Sequence, residues 1–182
     1  LDAELARQKL EPVSLVSVLD TVRSIFADKA EDRGVDFRLD IPAGTDPSNF
    51  TILANESRIA QVMTNIVDNA LSFSPQGGKV TVSARRLRDE VELVVTDDGP
   101  GIDEDKLETI FARFYTYRPT ATSSRGNNSG LGLNISREIV LAHGGTIRAE
   151  NRYREPLDPN SSRIGARFVV RLPVSPAHPR GR

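Results

Sequence analysis

Residues 79–87, KVTVSARRL, and 90–96, EVELVVT, alternate apolar and polar side chains on either side of a short turn at Asp89. A period of two commits both segments to a β-hairpin with one face buried. The hairpin sits mid-chain between stretches of helical periodicity, so the sheet it seeds must be covered by helices. Upstream, from Ser14, apolar residues recur at Leu15, Val18, Leu19, Val22, Ile25 and Phe26, and Gly34 closes that helix. VDFRLDI (35–41) alternates as a half-buried strand. Asn55 stands as N-cap of a second helix whose stripe is Ile59, Val62, Met63, Ile66, Val67, Ala70 and Leu71, ending near Ser74 and Pro75. Downstream, Asp103 caps a short helix, EDKLETIFARF. GLGLNISREIVLAHGG resumes as a helix that Gly144 ends, and TIRAEN and RIGARFVVRLP read as two final strands.

Helices therefore interleave with hairpins rather than alternating strictly with single strands. That order predicts an α/β two-layer sandwich, a mixed and mostly antiparallel sheet packed against helices. One domain over residues 12–173 follows. Residues 1–11 read as the end of a helix or a linker that Pro12 stops, and 174–182, VSPAHPRGR, as a disordered tail. TYRPTATSSRGNNS (116–129) is almost wholly polar and aperiodic, a long flexible loop of the kind that inside a compact domain is usually functional or disordered.

The 182 residues carry a net charge of -1, which argues against a bulk electrostatic hold on nucleic acid or an anionic membrane. The cluster of Arg85, Arg86 and Arg88 reads as a solvated strand face. Without cysteine there are no disulfides, thiolate metal sites or cysteine nucleophile. No apolar run reaches the length of a membrane span, and LDAELARQKLEP is not a signal peptide. The chain starts without Met, so it reads as a fragment of a longer protein with room for membrane segments elsewhere.

Three short stretches carry chemistry. In NIVDNALSFS (65–74), Asn65 and Asn69 are four apart and project from one helix face, where carboxamide oxygens suit Mg²⁺ once phosphates supply the remaining charge. In VVTDDGPGI (94–102), a strand ends on two acids, and Gly99 and Gly101 let backbone approach a ligand. A carboxylate there is a pure acceptor, matched to the exocyclic amine of adenine and mismatched to the oxygen of guanine. In GLGL (130–133), glycines at a helix start turn backbone N–H groups toward phosphate. Singly, each has a blander reading: helical Asn in water, an Asp-Gly turn, a loop-to-helix junction.

Together and in this order, with FARFY and the polar loop between them, they resemble the catalytic ATP-binding domain of sensor histidine kinases. That is the Bergerat-type ATPase fold shared with gyrase, Hsp90 and MutL. The resemblance runs from about residue 12 to 173. It implies Asn69 as the principal Mg²⁺ ligand with Asn65 as its helper, and Asp97 as the adenine contact with Gly99 and Gly101 shaping the pocket. It further implies Phe111 and Phe114 beside a lid formed by residues 103–129, and Gly130 and Gly132 at the phosphates. Ser72, Phe73, Ile102, Leu131 and Leu133 would line the nucleotide. AHGG before a strand and GARF before LP resemble the family's ending. NALSFSP and RFYTYRPT look similar to a group of alphaproteobacterial envelope-sensing kinases.

The chain departs from the pattern at three places. Ser72 stands where the family often carries Lys or Arg, Thr116 where Arg often follows the FY, and Ala166 where a small hydroxyl residue often follows the last-strand glycine. Two cations near the triphosphate are thereby lost, for which Arg118 or Arg125 would compensate; Arg118 joins Asn65 and Asn69 as a candidate catalytic residue. Neither His143, at a helix end where a capping role is expected, nor His178, in the tail, lies in an acceptor context.

The resemblance then implies ATP and Mg²⁺ as cofactors and a phosphoacceptor histidine on a dimerisation domain outside this chain. It implies a homodimer in the full-length protein, a response regulator as partner, and a cytoplasmic domain of an inner-membrane sensor that itself touches neither membrane nor nucleic acid. Hydrolytic relatives place a glutamate where Asn65 stands, and an amide cannot act as general base. A nucleotide-binding regulatory module without transfer activity is the alternative.

Overall fold

A computed structural model describes residues 10–42, 46–113, 115, 131–156, 158 and 161–174. Its strands are β1 (Glu11–Ser14), β2 (Asp36–Asp40), β3 (Thr51–Ala54), β4 (Lys79–Arg86), β5 (Glu90–Asp97), β6 (Thr146–Tyr153) and β7 (Arg163–Pro173). The helices are α1 (Leu15–Asp32), α2 (Glu56–Phe73) and α3 (Gly132–Ala142). Five strands form one sheet in the order β2-β4-β5-β7-β6, and β1 pairs with β3 apart from it. Only β2 and β4 run parallel within the large sheet, so it is mixed and mostly antiparallel as expected.

The helices close one face of that sheet. Val80, Val82 and Ala84 of β4, Val91, Leu93 and Val95 of β5, and Ala166, Phe168 and Val170 of β7 are buried beneath them. All seven apolar stripe residues of α2 are buried. Asn55 caps this helix, its Oδ1 accepting from the Arg58 N–H at 3.0 Å. In α1 the stripe is buried except Ile25, which is 58% exposed. At about 100° per residue, Ile25 falls just outside the arc from Val18 to Leu19 that faces the core. On the opposite face of the sheet Glu92 is buried between Arg85 and Arg171, each 2.8 Å away.

His143 ends α3 and bridges two helices. Its Nδ1 lies 2.8 Å from the Ile139 carbonyl, and its Nε2 accepts from the Asn55 N–H at 3.1 Å. The C-terminus of α3 is thus tied to the N-cap of α2.

Several expectations need correction. EPVS and TILA are strands, so Pro12 lies within β1. EDKLETIFARF is not one helix but two 3₁₀ turns, Glu104–Lys106 and Thr109–Phe111. Tertiary contacts outcompete so short a helix: Phe111 meets Phe168 edge-on with centroids 6.3 Å apart. Asp103 makes no side-chain cap, and its carboxylate pairs with Arg163 at 3.1 Å. Val174 belongs to the fold rather than to the tail, since its N–H donates to the Asp89 carbonyl and its carbonyl accepts from the Leu53 N–H. Residues 1–9 and 175–182, assigned to stub and tail, lie outside the described residues.

Ile66 is fully buried in the middle of α2. Ile66→Ala is expected to cost about 2–5 kcal/mol of stability. Ile25→Ala should stay within about 0.5 kcal/mol. Urea denaturation of both variants, read as a shift in midpoint at unchanged slope, checks the contrast.

Candidate nucleotide-binding site

β5 delivers Asp97 to the end of the sheet, where its side chain turns under the following glycines. The residue is 4% exposed. Its Oδ1 accepts from the backbone N–H of Gly99 at 2.8 Å and of Ala166, on β7, at 3.1 Å. Burial raises its pKa above the ordinary aspartate range, against the two N–H bonds and the Arg152 charge, which favour the ionised form. A Cβ on Gly99 would sit 2.8 Å from that same Oδ1 and 3.1 Å from the Phe73 carbonyl oxygen. Gly101 adopts φ +73°, a backbone conformation that side chains disfavour. Ile102 closes the turn, 8% exposed.

Asp98 does turn chemistry. Its Oδ2 accepts from the Lys79 N–H at 2.9 Å and its Oδ1 from Arg152 Nη1 at 2.9 Å, which pins the turn to β4 and β6.

The last turn of α2 abuts this region through Phe73, which is 37% exposed. Arg33, just past α1, caps that turn, with Nε donating to the Leu71 carbonyl at 2.8 Å and Nη2 to the Ser72 carbonyl at 2.9 Å. Farther up α2, Asn65 reaches α3. Its Nδ2 donates to the Gly132 carbonyl at 3.1 Å and to Ser136 Oγ at 3.2 Å. Ser136 is fully buried and donates in turn to the Gly132 carbonyl at 2.8 Å. Asn65 therefore joins the two helices, and Asn69 lies one turn closer to the Asp97 end. Among the described residues no three His, Cys, Asp or Glu cluster to hold a metal. Asn69 with phosphate oxygens is a donor set that fits Mg²⁺, a hard cation that keeps several non-protein ligands.

α3 begins at Gly132, after Leu131, which makes no side-chain cap, and the first-turn N–H groups of such a helix start are donors for a ligand. Leu133 packs on the core. Phe114, Thr116, Arg118, Arg125 and Gly130 lie outside the described residues. The structure brings Asn65 against the start of α3 at Gly132, and Phe73 at the end of α2 against Gly99 beside Asp97.

Sequence reasoning missed Arg33, Ser136, Asn151, Arg152 and Arg163, and also Asn134, whose Nδ2 donates to the Phe111 carbonyl at 3.1 Å. Ser136 had one readable signal, a hydroxyl one turn before the buried Ile139 and Val140. The others act through contacts distant in sequence, Arg33 from the end of α1, Asn134 from α3, and Asn151, Arg152 and Arg163 from strands, and left none.

Residues 54–176 match the family described as histidine kinase-, DNA gyrase B-, and HSP90-like ATPase. The chain belongs to that family. Sensor protein ChvG of Agrobacterium fabrum (strain C58 / ATCC 33970) is 42% identical over 185 residues, covering 99% of this chain and 30% of the relative. The histidine-protein kinase/phosphatase MprB of Mycobacterium avium (strain 104) is 35% identical over 173 residues, 94% of this chain and 30% of the relative. The chain thus spans about 30% of the length of these curated relatives. The nucleotide-free catalytic domain of the histidine kinase ThkA superposes with a TM-score of 0.76 at 27% identity, covering 93% of this chain and 98% of that one. ThkA in complex with the response regulator TrrA gives 0.72 at 27% identity, over 92% of this chain and 42% of that one. Full-length ShkA in complex with AMPPNP gives 0.72 at 25%, over 97% and 34%. Within the family, this is an ATP-binding catalytic domain of the sensor histidine kinase kind.

The raised pKa of Asp97 has opposite consequences for folding and for binding. A folded state that holds this proton more tightly than the unfolded chain gains stability below the ordinary aspartate pKa and loses it as pH rises through the raised value. The ionised carboxylate, by contrast, is a pure acceptor, the form suited to take a hydrogen bond from a ligand amine. ATP affinity should therefore rise with pH across the window in which the nucleotide-free domain loses stability, and Asp97→Asn should flatten both responses. ATP titrations and thermal melts over roughly pH 4 to 7 measure the two slopes.

Proposed function

We propose that this domain binds Mg-ATP, with Asp97 reading the adenine, and presents the γ-phosphate to a histidine on a dimerisation domain outside the chain. The observation that carries the reading is the buried Asp97 carboxylate, oriented by two backbone N–H groups at a turn where Gly99 and Gly101 carry no side chain. Adenine offers an N–H to that acceptor and guanine offers an oxygen, so the pocket selects ATP. Asn69 would hold Mg²⁺ with Asn65 beside it, and the ion would neutralise charge on the phosphate oxygens. The uncapped start of α3, with Gly130, would hold the phosphates by backbone N–H groups. Phosphoryl transfer asks mainly for positioning and charge neutralisation, and these residues are of the right kind for both.

The nucleophile is then the partner imidazole rather than water. Asn65 occupies the general-base position of hydrolytic relatives, and its amide is engaged with Gly132 and Ser136. Arg118 is retained as the cation for the transferred phosphoryl. A homodimer of the full-length protein, a response regulator as receiver, and a cytoplasmic position in a membrane-bound sensor complete the reading. The ThkA complex with a response regulator supports the receiver, and AMPPNP in the ShkA complex supports the nucleotide. A module that binds nucleotide without transfer is not favoured, because relatives such as MprB and BaeS are named as histidine-protein kinases.

Calorimetric titration with ATP and GTP, with and without Mg²⁺, tests the pocket. The expectation is ATP binding that Mg²⁺ strengthens and no comparable GTP binding. Asp97→Asn should lose about 1.5–3 kcal/mol, or roughly ten- to hundredfold in Kd. Asn69→Ala should abolish the Mg²⁺ dependence. Labelled ATP with a separate acceptor domain then tests transfer, and a domain that binds ATP but labels no histidine contradicts the kinase reading.

A further inference from the structure

We propose that Asn151 and Arg152, adjacent on β6, are positioning residues of the adenine site that hold the Asp97–Ile102 turn by its two ends. The proposal rests on Asp97 as the adenine contact. Neighbouring residues on a strand point to opposite faces of the sheet, so the two side chains grip the turn from both sides. Arg152 holds its start: Nη1 donates to the Asp97 carbonyl at 2.7 Å and to Asp98 Oδ1 at 2.9 Å. Asn151 holds its end with both halves of one amide. Its Oδ1 accepts from the Ile102 N–H at 2.7 Å, and its Nδ2 donates to the Ile102 carbonyl at 2.6 Å. Arg163 Nη1 donates to that same carbonyl at 2.6 Å.

These side chains must cross β7, which lies between β6 and β5 in the sheet. They can because β7 carries Gly165 and Ala166 opposite Arg152 and Asn151. A Cβ on Gly165 would overlap the Asp97 carbonyl oxygen and come within 3.1 Å of Arg152 Nη1. The small pair is the notch through which the clamp reaches.

The clamp bears on recognition because of how Asp97 is held. The two hydrogen bonds to its carboxylate come from backbone N–H groups, of Gly99 within the turn and of Ala166 beside the notch. Ala166 offers no hydroxyl. The direction of the carboxylate is therefore set by where the turn sits relative to β7, and Asn151 and Arg152 fix that placement. Loss of the clamp should tilt the acceptor away from the adenine amine and leave the phosphate end, on α2 and α3, intact.

The test is titration of Asn151→Ala, Arg152→Ala and Arg152→Lys with Mg-ATP, Mg-GTP and tripolyphosphate, beside Asp97→Asn. The alanine variants should each weaken ATP roughly tenfold, about one charged or two neutral hydrogen bonds, and leave GTP and tripolyphosphate unchanged. Arg152→Lys, which keeps a cation for Asp98, should recover much of the loss. Equal weakening of all three ligands, or no weakening of ATP, overturns the proposal. If an alanine variant does not fold, Asn151→Asp decides it: it keeps the acceptor for Ile102 but loses the donor, so it should still weaken ATP selectively. An Asp97→Asn variant that binds ATP normally removes the adenine reading itself, and the clamp with it. Weakening by Asp97→Asn with normal binding by the alanine variants and Asn151→Asp removes the clamp alone.

Discussion

The close passage of the β5 terminus over Gly165 is the constraint from which the rest of the site follows. Because the Asp97 carbonyl occupies the space of a missing Cβ, the strand end can lie against β7 and offer its carboxylate to the Ala166 N–H. The same proximity buries the carboxylate, and burial raises its pKa despite two N–H donors and a nearby guanidinium. An acceptor in that state is poorly solvated and fixed in direction, which suits it to discriminate one hydrogen-bond pattern from its inverse. A side chain at residue 165 would undo the packing and the selectivity together.

The α2–α3 helix pair, the proposed phosphate end, is fixed by a different device. α2 and α3 are joined by Asn65 with Ser136 and Gly132, and again by His143, whose two ring nitrogens engage Ile139 and the Asn55 N–H. The bonds require the proton on Nδ1, since Nε2 faces a donor. A helix pair tied at two levels cannot slide, so the start of α3 keeps its place relative to Asn69. In the proposed reading, adenine and phosphate recognition thus rest on separate sets of contacts, one across the sheet and one between helices.

Much of this was legible because it obeys a short period. The buried face of α2 could be read residue by residue from Ile59 to Leu71, and the hairpin of β4 and β5 from its alternation. The glycines of the Asp97 turn were legible because few residues tolerate such a path. β1 and β3 were not, since four residues carry too little pattern to separate strand from loop. The 3₁₀ turns failed for the opposite reason: EDKLETIFARF has local helical character, which the packing of Phe111 on Phe168 overrides. Asn151, Arg152 and Arg163 were invisible because their meaning depends on β7 lying between β5 and β6, an order that no local pattern contains.

The departure at Ser72 gains a physical sense from the same contacts. With no cation on that side chain, the nearby positive groups of α1 serve the helix instead: Arg33 satisfies the carbonyls of Leu71 and Ser72, and Lys29 pairs with Asp68. A helix C-terminus carries partial negative charge and four unpaired carbonyls. Arg33 offsets both, at the point where α2 meets the Gly99 turn. In the proposed reading, charge neutralisation of the triphosphate then falls to Mg²⁺ on Asn69, to the α3 N-terminus and to Arg118. Ordering of the last turn of α2, where Phe73 flanks the base, falls to Arg33. Arg33 thus places its positive charge on the C-terminal carbonyls of α2.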